Sequence, residues 1–367
     1  MNISFKRPFY SEAEVEAVRC ALGGADYIDR VRERLQDEYG GSVFLTASGS
    51  AALDALFLAL DFPPGSEVIL PSFTYPSAAN ALVRCGLRPV FADIDPDTLT
   101  LSADAAVSRI TPRTRAILPT HYGGASADLA RLTSHEGILL IEDAALSYGA
   151  LYRGRPLGSI GDAGIISFHR TKNVSAEEGG VLVISRAQGH LAARIEMILD
   201  RGTDRSAFLR GEVDAYTWRT PGLGGRMSNV HAAILDAQLD KAQAIAGRQA
   251  LIARRYRELL APIGERLGFA LPRTPGWNSD NHHVFWLRFA DGETRERVRR
   301  HLLFRGIDAR THYMPLHESE MGQRLGYAPD DLPVTQAVSR SLLRLPIDAV
   351  MGPSCCDAVA SAIREAL

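Results

Sequence analysis

The chain has little cysteine: four residues in 367, Cys20, Cys85, Cys355 and Cys356. None shows the paired spacing of a metal site or a disulfide framework, so a reducing cytoplasm is the expected setting. The vicinal pair Cys355-Cys356 opens the last helical pattern and reads as packing. The first residues, 1 to 8, carry no apolar signal core. No apolar run is long enough to span a bilayer, so no membrane partner is expected. An excess of one charge is also missing. Lys and Arg number 41 against 43 Asp and Glu, a net −2, which gives no electrostatic case for nucleic acid. Internal repeats and low-complexity tracts are absent.

The length suffices for one large domain and a smaller one. Ser11 followed by Glu14 is a capping box, and it predicts a first helix with an apolar face at Val15, Val18 and Leu22. A second helix is expected after Ser48-Gly49-Ser50. Short apolar runs then alternate with helical stretches: 68–70, 89–92, 116–118, 138–141, 164–168 and 181–184. Strands of this kind are buried on both faces, as in a mainly parallel sheet wrapped by helices. After Ser228 a long helical stretch is expected to about Leu260. A smaller α+β unit follows, with a strand over 283–289 and helices over 295–304 and 357–366. The reading is an α/β chain with a large domain over 1–245 and a small C-terminal α+β domain over 246–367.

The chemistry concentrates in two places. Ser167-Phe168-His169-Arg170-Thr171-Lys172-Asn173 follows one apolar run, with Glu178-Gly179-Gly180 just beyond. About thirty positions earlier another apolar run ends on Glu142-Asp143. A lysine and a carboxylate at the carboxyl ends of two successive strands can hold a pyridoxal ring. The lysine bonds to the aldehyde, and the aspartate pairs with the protonated ring nitrogen. The same residues suit plainer roles. A lysine after a strand is ordinarily a solvated loop residue, and Asp143 could cap a helix starting at Ala144-Ala145. Ser48-Gly49-Ser50 before a helix can bind phosphate through backbone N–H groups, or simply cap the helix.

The Ser-Phe-His-x-x-Lys-Asn…Glu-Gly-Gly pattern resembles the cofactor-lysine motif of the DegT-type nucleotide-sugar aminotransferases. Further segments extend the resemblance in order along nearly the whole chain: Asp93 to Thr98, Pro119 to Gly124, Met227-Ser228-Asn229, and His312-Tyr313-Met314-Pro315-Leu316-His317. The resemblance implies a fold-type-I architecture and pyridoxal 5′-phosphate as cofactor. It implies Lys172 and Asp143 as catalytic residues. Ser48, Gly49, Ser50 and Ser167 would lie around the phosphate, and Tyr75 would stack on the ring. His169, His312 and Tyr313 would lie at the substrate. The segment 201–219 looks like the branch that makes dTDP-4-amino-4,6-dideoxygalactose. Its Arg205, Arg210, Trp218 and Arg219 are expected to help hold a nucleotide-sugar diphosphate, since arginine forks suit phosphate and tryptophan suits a nucleobase or sugar face.

The resemblance therefore implies an enzyme that takes an amine from L-glutamate and places it on a keto-sugar nucleotide, working as a homodimer. Three positions depart from the pattern: Leu146 where a polar residue is usual, Gly224 where many members carry Asn, and Asp204 where the branch tends to Asn. Amination at C3 or another sugar carbon is an alternative, as is a non-catalytic partner protein of the same fold. A sugar dehydratase on this scaffold tends to carry His in place of the lysine, and Lys172 argues against it.

Overall fold

The computed structural model of the chain describes residues 2–133 and 135–367. Its centre is a seven-stranded sheet in the order Ser42–Thr46, Gly180–Ile184, Ala163–Ser167, Leu139–Asp143, Thr114–Ile117, Glu67–Pro71, Arg88–Ala92. Gly180–Ile184 runs against both of its neighbours, and the other six strands run together. Val68, Ile69, Leu70, Ile165, Ile166 and Val181 are fully buried, as strands covered on both faces require. The register pairs Thr46 and Ser167 with Gly180, and Asp143 with Ile165. Three strands thus end at one edge of the sheet, and the antiparallel strand begins there. Crevices outside the carboxyl ends of parallel strands are where such sheets bind ligands.

All six expected strands form. The edge strand Ser42–Thr46 gave no clear signal, because its outward residues are only half-buried and it lies between Gly41 and the Ser48 turn. The capping box at Ser11 is present and opens the helix Glu12–Leu22. The apolar face expected on that helix is not the buried one: Val15 and Leu22 are 52% and 75% exposed. The helix instead turns Glu14, Ala17 and Ala21 inward, and the two alanines meet Ala233 and Ala237 of the helix Asn229–Asp240. Glu14 dictates this rotation. Its carboxylate accepts from the Ser11 amide at 2.8 Å and from Gln238 Nε2 at 2.6 Å, and pairs with Lys241.

The long C-terminal helical stretch is two helices, Asn229–Asp240 and Ala242–Leu267, joined at Lys241. The boundary expected at 245/246 falls inside the second of them. The strand Phe285–Arg288 pairs antiparallel with Leu342–Leu345. These strands, with the helices Ala242–Leu267, Gly292–Phe304 and Pro353–Ala366, enclose a second core that includes Tyr256, Phe285, Leu302, Leu343 and Ile363. Cys356 is buried in it, and all four cysteines are free thiols. Ile3 belongs to this core too. Its amide donates to Gly306, and its carbonyl accepts from Asp308, both at 2.9 Å. The N-terminal residues therefore pack with the second unit, where the sequence placed them in the first. Among the described residues no helix is long and apolar enough to cross a membrane.

Candidate active site

A cavity of about 580 Å³ opens at the edge where the strands end. Ten of the fourteen residues singled out in the sequence line it: Ser48, Gly49, Ser50, Tyr75, Asp143, Ser167, His169, Lys172, His312 and Tyr313. They arrive from five separate stretches of chain.

The helix Gly49–Leu60 points its N-terminus into the cavity. Ser48 is its cap, and its hydroxyl accepts from the Ala51 amide at 3.1 Å. The first amides of the helix remain available to an anion, reinforced by the helix dipole. Ser167 lies against Gly49, so a Cβ on Gly49 would stand 3.2 Å from the Ser167 Cβ. The motif Glu178-Gly179-Gly180 has a steric origin. A Cβ on Gly180 would sit 2.4 Å from the Gly49 nitrogen, and one on Gly179 would sit 2.8 Å from the Met227 methyl carbon.

Asp143 ends the strand Leu139–Asp143 and is buried. No helix follows it, so the capping alternative does not apply. One oxygen accepts from the Ala145 amide at 3.1 Å, the other from the Thr120 hydroxyl at 3.4 Å, and Thr120 is bonded in turn to Thr74. Burial raises the Asp143 pKa, outweighing these bonds and the Lys172 charge. An aromatic cation would relieve that strain, and this carboxylate suits a protonated pyridine nitrogen. The preceding residue is an anchor. Buried Glu142 accepts from His121 Nε2 at 2.9 Å and from the amides of Gly158, Ile160 and Gly161. Burial would push its carboxyl up, but these donors hold it below its ordinary range.

Lys172 follows Ala163–Ser167 by a tight loop in which its amide donates to the His169 carbonyl at 2.8 Å. The side chain is half-buried in the cavity wall. Burial, opposed by Asp143, brings its pKa down to about 8. It is no solvated loop lysine. A phosphate cradle, a buried carboxylate and a lysine of lowered pKa in one cavity fit pyridoxal phosphate.

The remaining residues divide. Tyr75 stands at the rim and is 60% exposed. His169 is half-buried and bonded to the Thr171 hydroxyl at 2.9 Å. His312 stacks on Tyr313 with centroids 3.6 Å apart, and its Nδ1 meets the Tyr122 hydroxyl at 2.7 Å. Burial, with Arg344 and Lys172 nearby, holds His312 well below its ordinary pKa, so it is neutral. Arg205, Arg210, Trp218 and Arg219 do not line the cavity of this chain. Arg210 is held by Glu196 and Glu212, and Arg219 donates to Asp204 at 2.6 Å. Trp218 is 74% exposed. Asp204 also accepts from the Thr217 amide at 2.7 Å, so this departure staples the segment to itself. Leu146 packs with Phe73 and Tyr122, and Gly224 has open space where a side chain would stand.

Sequence reasoning missed a further part of the cavity wall. Phe5, Lys6, His283, Arg310 and Arg344 all line the cavity. They come from the N-terminal stretch and the second unit, and no motif announced them.

The comparisons with known proteins agree with this geometry. The sequence matches the DegT/DnrJ/EryC1/StrS aminotransferase family over residues 27–364. The chain belongs to that family. It is similar to GDP-perosamine synthase of Caulobacter vibrioides, 33% identical over 328 residues, which are 87% of this chain and 84% of that protein. Among solved structures it resembles the aminotransferase TlmJ from Streptoalloteichus hindustanus, with a TM-score of 0.91 at 27% identity, over 100% of this chain and 99% of the other. It also resembles DesV of S. venezuelae in complex with a ketimine intermediate, with a TM-score of 0.87 at 29% identity, over 99% and 98%. This DegT-family chain is a pyridoxal 5′-phosphate-dependent sugar aminotransferase with an α/β fold.

Proposed function

We propose that this aminotransferase moves an amine from L-glutamate to a keto-sugar nucleotide, and that the acceptor is dTDP-4-keto-6-deoxy-D-glucose, giving dTDP-4-amino-4,6-dideoxygalactose. The observation that carries the reading is the convergence of Asp143 and Lys172 on one cavity with the helix N-terminus at Gly49. The bound cofactor supplies a carbonyl that takes up the amine and a cationic ring that draws off electrons. Asp143 holds the ring nitrogen protonated. The amides of Gly49 and Ser50, with the Ser167 hydroxyl, bind the phosphate. Lys172, with its lowered pKa, carries a proton from the Cα of the donor and returns one to the sugar carbon that receives the amine. Neutral His312 and Tyr313 line the same space and offer hydrogen bonds to sugar hydroxyls.

Support for the dTDP sugar comes from the 201–219 segment. The relative GDP-perosamine synthase carries a GDP sugar in its name, so the nucleotide is the open choice to test. A homodimer in cytoplasm completes the reading, with the 203–219 segment of one subunit beside the cavity of the other. The deciding experiment offers the purified enzyme, with glutamate, the dTDP- and GDP-linked 4-keto-6-deoxyhexoses in parallel. Product NMR reads both the carbon aminated and its stereochemistry. Conversion of the dTDP sugar to the 4-amino galacto product is expected. Preference for the GDP sugar, or amination at C3, would replace the substrate assignment and leave the enzyme class intact.

A further inference from the structure

His283 offers the cavity a lone pair among cations. It stands just ahead of the strand Phe285–Arg288 and lines the cavity together with Lys6, Arg310 and Arg344. Its backbone amide donates to Asn281 Oδ1 at 3.1 Å. Asn281 Nδ2 donates in turn to the carbonyls of Leu146 and Tyr148, both at 3.0 Å. The histidine therefore hangs from the stretch that follows Asp143. Its ring Nδ1 meets Asn173 Oδ1 at 2.8 Å, and Asn173 is the residue after Lys172.

The bonds of Asn173 fix the tautomer of that ring. A carbonyl can only accept, so the Asn173 atom 2.9 Å from the Asn281 carbonyl is the amide nitrogen. The other atom is the oxygen, which also accepts from Lys6 Nζ and Gln249 Nε2, each at 2.9 Å. Nδ1 of His283 must therefore donate to it. A second ring proton is disfavoured. Burial in the cavity wall, with Lys6, Lys172 and Arg344 acting on the ring, holds His283 well below its ordinary pKa. Nε2 is then a bare acceptor that faces the cavity, and among the described residues nothing donates to it.

The ligands of an aminotransferase site differ in what they can give such an atom. Carboxylates and diphosphates bring lone pairs of their own. A donor's ammonium brings protons but also a positive charge, which the cations around His283 repel. A sugar hydroxyl is a neutral donor, and it suits the atom. Lys172 works at the sugar carbon that receives the amine, and its charge reaches His283. The hydroxyl that falls to Nε2 is then one beside that carbon. On a 4-keto-6-deoxyhexose C5 carries the ring oxygen and a methyl group, which leaves the C3 hydroxyl.

We propose that His283 determines sugar specificity, its Nε2 accepting a hydrogen bond from the hydroxyl next to the ketone, the C3 hydroxyl of a 4-keto-6-deoxyhexose. The inference rests on the sugar-nucleotide reading of the same cavity and names a group that this site requires. The ring is braced through Nδ1 and through its backbone, so it cannot turn away when the hydroxyl is missing. A polar atom left unpaired in a cavity is what makes such sites reject the deoxy analogue.

The test crosses two substrates with the variants. The purified, cofactor-loaded enzyme receives the dTDP-linked 4-keto-6-deoxyhexose or its 3-deoxy counterpart, with glutamate as donor, and kcat/KM is read for each. Wild-type enzyme is expected to favour the hydroxylated sugar about ten- to hundredfold. His283→Asn sets an amide N–H where Nδ1–H stood, so the bond to Asn173 survives, and it removes Nε2. This variant should lose about tenfold or more on the hydroxylated sugar and treat the two sugars alike within about threefold. Its single-turnover reaction with glutamate should stay within about twofold of wild type. His283→Gln brings an amide oxygen near the lost Nε2 and should recover part of the preference. Wild-type enzyme that converts both sugars equally well would overturn the proposal without any variant. An asparagine variant that keeps the full preference while slowing with glutamate would also overturn it, and would make His283 a brace for Lys172 through Asn173. If only GDP-linked sugars react, the substrate assignment fails, and the same comparison on the GDP-linked pair decides the hydroxyl. If no keto sugar is aminated, the sugar-nucleotide reading fails and this inference falls with it.

Discussion

A side chain on Gly180 would collide with Gly49, because its Cβ would stand 2.4 Å from the Gly49 nitrogen and equally close to the Ser48 carbonyl carbon. The strand that runs against the sheet therefore begins flush with the N-terminus of the helix Gly49–Leu60. The two glycines fix where the phosphate cradle sits relative to Ser167, the residue paired with Gly180.

Gly180→Ala should disturb the cradle without removing any functional group. The added methyl must push the 48–50 turn away, and overpacking of this kind costs about 1–3 kcal/mol. Spectrophotometric titration of cofactor-free protein is expected to show pyridoxal phosphate bound about tenfold more weakly or worse. Affinity equal to wild type would mean that the turn yields freely and that the cradle lies elsewhere.

Asp143→Asn keeps the shape of the site. The amide oxygen can still accept from Ala145 or Thr120, so cofactor should remain bound. What disappears is the charge that holds the ring nitrogen protonated. In a dry site a lost charged contact is worth several kcal/mol, so single-turnover reaction with glutamate should slow on the order of a hundredfold or more. A rate within about threefold of wild type would leave Asp143 a turn residue only.

Asp143 and Lys172 were legible in the sequence because each is tied to a periodic signal. Asp143 and Lys172 follow apolar runs that could only be buried strands, and the Ser-Gly-Ser turn precedes an apolar helix. The rest of the cavity wall was not legible. Arg344 sits in Leu342–Leu345, which reads as an apolar segment with one ordinary charge, and Phe5 and Lys6 precede the first helix. What brings them to the cavity is the meeting of the N-terminus with a strand more than three hundred residues away, which local pattern does not encode. The first helix failed for a related reason. Its buried face was chosen by Glu14 finding Gln238 and Lys241, a tertiary choice that overrode the apolar stripe.

The lowered pKa of Lys172 sets a pH dependence for cofactor loading. Only the neutral amine attacks an aldehyde, so the competent fraction grows as pH rises through the pKa. With a pKa of about 8, roughly one molecule in ten is competent at pH 7, against roughly one in three thousand for an ordinary lysine. The rate at which cofactor-free protein takes up pyridoxal phosphate should climb about tenfold per pH unit below 7 and level off above about pH 8.5. A rate still climbing at pH 10 would show an unperturbed lysine. Lys172→Ala should abolish both this covalent uptake and turnover.

The surface segment after Asp200 yields the last prediction. Four of its residues were expected at the nucleotide, yet they differ in what they are free to do. Arg210 holds Glu196 and Glu212, and Arg219 holds Asp204. Arg205 is exposed and, among the described residues, has no carboxylate partner, and Trp218 is likewise exposed. If this segment reaches a partner subunit's cavity, as we propose, Arg205 and Trp218 are the side chains available to a diphosphate and a base. Arg205→Ala and Trp218→Ala should each raise KM for the sugar nucleotide about tenfold and leave single-turnover reaction with glutamate unchanged, because only the second substrate carries a nucleotide. Arg210→Ala should act more weakly, since its guanidinium would have to abandon two carboxylates before meeting a phosphate. Exposed pairs of that kind contribute at most about 1 kcal/mol to stability, so the variant should fold normally. A larger KM effect at Arg210 than at Arg205 would show that the carboxylates release it on assembly. No effect at any of the three would place the segment outside the substrate path, as a stapled surface loop.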